Sequence, residues 1–187
     1  MVKNYNEILY DNETLLTDRL ILRKFTKEDV PDVLEYGGDE EALRYLIWEG
    51  VRTVDEAQAN IFDYYLSKPG IFAIELKNTG KCIGAIDLRI EPEHDKLSFG
   101  YVLNPKYWGM GYMTEVLAAV LELCFEKLDA NRVEAQHYVG NEASGKVMAK
   151  CGMKLEGVAK QELKIKGILR DVCHYGITKE DWLTAKA

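Results

Sequence analysis

The run Tyr107-Trp108-Gly109-Met110-Gly111-Tyr112-Met113-Thr114 sets two glycines just ahead of an apolar stretch with helical spacing that reaches about residue 128. Before it lies an extended segment, 96–103, closed by Asn104-Pro105. Strand, glycine-bearing loop and helix in that order can turn several backbone N–H groups toward one point. Together with the positive end of the helix dipole, those donors make a site for phosphate oxygens. Gly109 and Gly111 suit this because a missing Cβ permits positive φ and close approach of an anion. Two glycines fit an ordinary tight turn equally well, so the rest of the chain must decide. Neither nucleotide fingerprint is complete: a P-loop needs Lys after its last glycine, where Tyr112 stands, and Gly109-Met110-Gly111 is only the first half of G-x-G-x-x-G. His94, His137 and His174 are isolated from one another and from any cysteine pair, so no metal is expected, and no G-x-S-x-G elbow occurs.

The elements that must hold this loop follow from periodicity. A chain of 187 residues with 47% hydrophobic and 29% charged content suits one domain, residues 1–187, with a sizeable core. The net charge of −7 argues against nucleic acid as a partner, because no excess of basic side chains is there to replace counterions. Four scattered cysteines without a C-x-x-C pair read as reduced core thiols. No signal-peptide plan and no apolar run of membrane-spanning length is found, which points to the cytoplasm and away from a membrane.

Residues 1–14 read as a polar, loose lead-in. A strand over 20–25 precedes Thr26-Lys27-Glu28-Asp29, which starts a helix ending at Gly37-Gly38. A short helix over 39–45 and a longer one from the capping box Thr53-Val54-Asp55-Glu56 to Pro69-Gly70 follow. Strands over 71–77, 82–90 and 96–103 then form an antiparallel meander. After the glycine loop, Met113, Leu117, Val120, Leu121, Cys124 and Leu128 mark one helix face. A strand over 132–139, a helix capped by Asn141, two strands over 153–166 and 168–178, and a terminal helix from about Lys179 complete the chain. This order predicts an α+β fold whose mixed central sheet of about seven strands is flanked by helices.

Five segments in this order resemble the GNAT superfamily of acetyl-CoA-dependent N-acetyltransferases, and within it the Rim-type enzymes that acetylate N-termini of ribosomal proteins. They are Thr17-Asp18-Arg19-Leu20-Ile21-Leu22-Arg23, Phe99-Gly100-Tyr101-Val102-Leu103-Asn104-Pro105, Trp108 to Glu115, Asn141-Glu142-Ala143-Ser144 with Cys151-Gly152-Met153, and Gly167 to Val172. The resemblance implies the GNAT acyl-CoA N-acyltransferase fold. It also implies that amides of Gly109, Met110, Gly111, Tyr112, Met113 and Thr114 hold the CoA pyrophosphate, and that the pantetheine arm lies along Tyr101, Val102 and Leu103. A main-chain N–H there would stabilise the developing oxyanion. Asn141 and Ser144 fall beside the cofactor arm and the departing sulfur.

The chain departs from the family pattern at several positions. Trp108 stands where Gln or Arg is usual and Met113 where Ala or Gly is usual. Met148 replaces the tyrosine that serves many relatives as general acid, which leaves Ser144 to protonate or hydrogen-bond the thiolate. Ser98 replaces a common catalytic Glu. Glu162, in Gln161-Glu162-Leu163, matches the place of a base proposed for Rim-type relatives, and a solvated strand carboxylate explains it equally well. His137 reads as a half-buried structural histidine near the cleft. Substrate contacts are expected from Tyr45, Trp48 and Glu49 in the variable helical part. The expected reaction is direct acetyl transfer from acetyl-CoA to a primary amine, a protein N-terminus first. A small amine such as a polyamine, an amino-acid derivative or an antibiotic is the alternative acceptor, and a non-catalytic acyl-CoA-binding module a second alternative. The chain is expected to act as a monomer or homodimer.

Overall fold

The computed structural model describes residues 3–186. Eight strands form one sheet in the order β1-β2-β3-β4-β5-β6-β8-β7, with every neighbouring pair antiparallel except β5 and β6. The strands are β1 (Leu15–Leu16), β2 (Leu20–Arg23), β3 (Ile71–Leu76), β4 (Cys82–Glu91), β5 (Lys96–Leu103), β6 (Arg132–Tyr138), β7 (Lys154–Ile165) and β8 (Ile168–Thr178). The α+β expectation and the mixed sheet hold. The added strand is the two-residue β1, too short to leave an alternating signature.

The lead-in is a correction. Tyr5–Asp11 form a helix, α1, rather than an irregular segment. Asn4 Oδ1 accepts from the Glu7 N–H, and Tyr5 and Leu9, one turn apart, are buried in the main core. The Tyr5 hydroxyl donates to Asp95 at 2.7 Å and ties the helix to the turn before β5. Met1 and Val2, the first two residues of that expected lead-in, lie outside the described residues.

On one face of the sheet pack α2 (Val30–Gly37), α3 (Glu40–Leu43) and α4 (Val54–Ala59). The capping box at Thr53 is half made as expected: its hydroxyl accepts from the Glu56 N–H, while the Glu56 carboxylate reaches one residue further back, to the Arg52 N–H. Helix α4 then widens into a π-type turn over Asn60–Tyr65, the kind of irregularity that re-aims side chains toward a site. On the other face, α5 (Tyr112–Glu122) buries Met113, Val116, Leu117, Val120 and Leu121 against the sheet. Helices α6 (Glu142–Lys150) and α7 (Lys179–Lys186) complete this layer.

The feature that shapes the site is the junction of β5 and β6. Parallel pairing lasts for only three residues: Lys96 with Arg132, Leu97 with Val133, and Ser98 with Glu134. Strand β5 continues to Leu103, paired to β4 along its whole length, but beyond Ser98 its other edge has no strand partner. The sheet therefore splits into a V, and the unpaired edge from Phe99 to Leu103 faces into the split. Among the described residues no helix is long and apolar enough to cross a membrane, and no three His, Cys, Asp or Glu side chains gather as metal ligands do.

Candidate active site

The glycine loop sits at the mouth of the V. Asn104, almost fully buried, accepts from the Lys106 N–H and donates to Glu35 of α2 at 3.0 Å. Glu35 also accepts from the ammonium groups of Lys106 and Lys81, each at 2.8 Å. Hydrogen bonds from Lys106 first, then Lys81 and Asn104, pull its carboxyl down to about 2. This cluster anchors the turn on which the loop stands.

Gly109 and Gly111 both take left-handed φ, 73° and 80°, which explains their residue type by backbone conformation alone. Gly111 is the N-cap of α5, and no side chain caps the first turn. The N–H groups that open α5 are therefore left to an outside acceptor, as an anion cradle requires. The other side of the loop is clamped by Arg19, the residue just before β2. Arg19 donates to the Met110 carbonyl at 2.9 Å and to Glu115 at 2.7 Å, and its guanidinium lies 4.3 Å from the centre of the Tyr112 ring. Glu115 also accepts from the Thr17 hydroxyl and the Arg19 N–H. Burial alone would raise this carboxyl, but those hydrogen bonds together hold it below the ordinary carboxylate range.

The two unusual residues of the loop now have physical roles. The Trp108 indole N–H donates to the Leu103 carbonyl at 2.8 Å, so the ring holds the end of β5 to the loop. Met113 is 5% exposed and packs in the core beneath α5.

A cavity of about 480 Å³ runs from this loop to the open edge of β5. Every residue expected to hold the cofactor lines it except Met110, whose side chain is exposed and which contributes its carbonyl to Arg19. A second cavity, about 720 Å³, lies across the V and is lined by Tyr45, Trp48, Asn60, Tyr64, Asp87, Arg89 and His137 among others. The two share Tyr45, Leu46, Tyr101, Val102, Asn141 and Ser144. At this seam the Tyr101 hydroxyl and Ser144 Oγ are 2.8 Å apart. Burial pushes the Tyr101 phenol up to about 12, so it stays protonated and able to donate. Asn141 caps α6 by accepting from the Ser144 N–H at 3.4 Å, which fixes the serine at the first turn of that helix.

Two expected site residues, Glu162 and Glu49, are not brought to the cavity walls in the way their assignment needs. Glu162 lines neither cavity; its carboxylate lies 2.6 Å from His174 Nε2 on the exposed side of the β7–β8 pair. The strand register slips between Ala159 and Leu163, where Gln161 takes a φ of 51°, and this irregularity decides which way Glu162 points. Glu49 is exposed and lines neither cavity, whereas Tyr45 and Trp48 line the second. His137 is 7% exposed rather than half-buried, and its Nδ1 lies 2.8 Å from the Tyr138 carbonyl. Ser98 lines neither cavity.

Sequence reasoning missed Asp87, Asn60, Tyr64 and Arg89. One signal was available: Asp87 is the single charge in the otherwise apolar run Cys82-Ile83-Gly84-Ala85-Ile86-Asp87-Leu88.

A family profile described as an acetyltransferase (GNAT) domain matches residues 19–154. The chain belongs to the GNAT acetyltransferase family. The N-acetyltransferase YoaA of Bacillus subtilis (strain 168) is 32% identical over 170 residues, covering 88% of this chain and 96% of that protein. The [ribosomal protein uS5]-alanine N-acetyltransferase of Escherichia coli (strain K12) is 25% identical over 181 residues, 90% of this chain and 92% of its own length. Among solved structures, a GNAT-family acetyltransferase from Bacillus anthracis superposes with a TM-score of 0.82 at 28% identity, covering 89% of this chain and 99% of that one. This GNAT chain is thus an acetyl-CoA-dependent N-acetyltransferase, and its split sheet is the GNAT fold.

Proposed function

We propose that this GNAT chain acetylates the α-amine of a protein or peptide N-terminus by direct attack on acetyl-CoA. The observation that carries the reading is the seam. One cavity ends at the uncapped start of α5, the other lies across the V, and they meet at the Tyr101–Ser144 pair. Bound there, acetyl-CoA supplies an activated acetyl thioester. The amides at the start of α5 hold its pyrophosphate, and the open edge of β5 pairs with the pantetheine arm as an added strand would. A main-chain N–H of that edge polarises the thioester carbonyl. Ser144, backed by the Tyr101 hydroxyl, donates a hydrogen bond to the departing sulfur.

Neither cavity is lined by a cysteine, which supports transfer without an acyl-thiol intermediate on the protein. An α-amine with an ordinary pKa of about 8 is roughly a tenth neutral at pH 7, so a water suffices to take its proton. The uS5 alanine acetyltransferase among the relatives supports a protein acceptor. The test is thiol release from acetyl-CoA across a panel of N-terminally free peptides and small amines, with CoA binding followed by calorimetry. Faster turnover on peptides is expected. Tight CoA binding without turnover on any amine would make the chain a binding module.

A further inference from the structure

The acceptor cavity contains polar atoms that acetyl transfer, as described so far, leaves unused. Asp87 stands on β4 opposite Gly100 of β5 and is 7% exposed. Its Oδ2 is engaged: the Tyr64 hydroxyl donates to it at 2.5 Å and the Arg89 guanidinium at 3.2 Å. Its Oδ1 receives no hydrogen bond from the protein; the half-exposed Lys68 ammonium lies 3.3 Å away without the alignment to donate. Asn60, presented by the π-type turn after α4, lines the same cavity, and its buried Oδ1 also receives no protein donor. Buried acceptors are rarely left so, and two on residues that line one cavity suit a ligand rich in N–H that reaches them as those side chains turn. Beside them the Arg89 guanidinium lies against Gly100, 2.8 Å from where a Cβ would stand. The strand thus keeps a bare backbone there to admit it.

Building on the acceptor assignment above, we propose that Asp87 and Asn60 form the subsite for the acceptor's ammonium group and that Arg89 reads the carbonyl oxygen next to it. An ammonium brings three donors and a positive charge, matching two oxygens without a hydrogen-bond donor, one of them a carboxylate oxygen that has only the Lys68 ion pair. Lys68 is a long surface side chain and yields Oδ1 to a better-aligned cation. Negative and positive groups side by side fit an α-aminoacyl terminus, where ammonium and carbonyl flank one carbon. A polyamine offers the cation without the carbonyl. The substrate class is therefore an α-aminoacyl chain end: these residues bind and orient it as the ammonium, which gives one proton to water before its freed lone pair attacks the thioester.

The test uses the full chain with Ala-Ala-Ala-Ala amide and spermidine as acceptors, and calorimetry for CoA. Asp87→Asn preserves shape and should raise the peptide KM about tenfold or more with kcat little changed, the loss expected for a charged hydrogen bond. Asn60→Leu should raise it by about threefold, a neutral hydrogen bond's share. Both variants should bind CoA as the parent does, which also shows that they fold. Propionyl-Ala-Ala-Ala amide, lacking the amine, should compete poorly against the parent, and that disadvantage should disappear in Asp87→Asn. Unchanged peptide KM in both variants, or spermidine used as well as the peptide, would overturn the subsite while leaving the transferase reading standing. Bound CoA with neither amine acetylated would overturn both.

Discussion

The proposed donor side and the proposed acceptor side of the V are built from different materials. On the proposed donor side the groups on offer are main-chain: the amides opening α5, the free edge of β5, and two glycines held at positive φ. Side chains such as Arg19, Glu115 and Glu35 stand behind the loop and brace it. On the acceptor side the walls are side chains from distant parts of the chain: Tyr45, Asn60, Tyr64, Asp87, Arg89 and His137. A backbone site recognises what every member of a family shares, since any sequence that keeps the conformation keeps the donors. A side-chain site changes with each substitution, and that is where acceptor choice resides.

The contrast is broken most severely at the seam. Ser144→Ala should lower kcat about a hundredfold, the scale of a lost proton donor, and leave the CoA Kd unchanged in calorimetry. A matching loss of CoA affinity would assign Ser144 to the donor side instead. Next in size is Gly111→Val, which forces a β-branched residue to a φ of 80°. Strain of about 1–2 kcal/mol should weaken CoA binding roughly tenfold or more, with little change in the peptide KM. Glu115→Gln removes the charge that organises Thr17 and Arg19 behind the loop, and should weaken CoA by about threefold to tenfold. An effect of that size on peptide KM, with CoA binding intact, would dissolve the division between the two sides.

The smallest effect concerns acid. Glu35 ordinarily titrates near 4.5 and is held at about 2 in the folded chain. A lowered folded value means that its contribution is whole above the ordinary range and is lost as the pH falls from 4.5 toward 2. In a melting series across that interval, Glu35→Gln should show a shallower decline in Tm than the parent. Equal slopes would mean that Lys81 and Lys106 do not bias Glu35 as described.

The same contrast explains what could be read before any coordinates. Gly109 and Gly111 are visible in the sequence because their backbone conformation restricts the residue type, and the α5 face is visible because burial repeats with the helical period. Asp87 and Asn60 lie 27 residues apart on different elements, so no local pattern links them. Tyr101 was assigned for its backbone, and only the packing of α6 against β5 reveals its hydroxyl on Ser144. Glu162 lies at one of the two places in β7 where the register slips, and a slipped register leaves no periodic trace. Helix α1 escaped notice because seven residues with two inward side chains carry too little pattern against a polar background.

The three residue pairs that join β5 to β6 have a consequence for how the molecule assembles. Strands β3, β4 and β5 are neighbours in sequence and can zip as successive hairpins. The β5–β6 link must wait until α5 has formed and carried the chain back, a long loop closed for very few ladder bonds. The two leaves of the sheet thus meet late, and the cleft between them exists only once they have met. CoA is a ligand of the finished fold alone, so its cellular concentration weights the folded population over every partly zipped one.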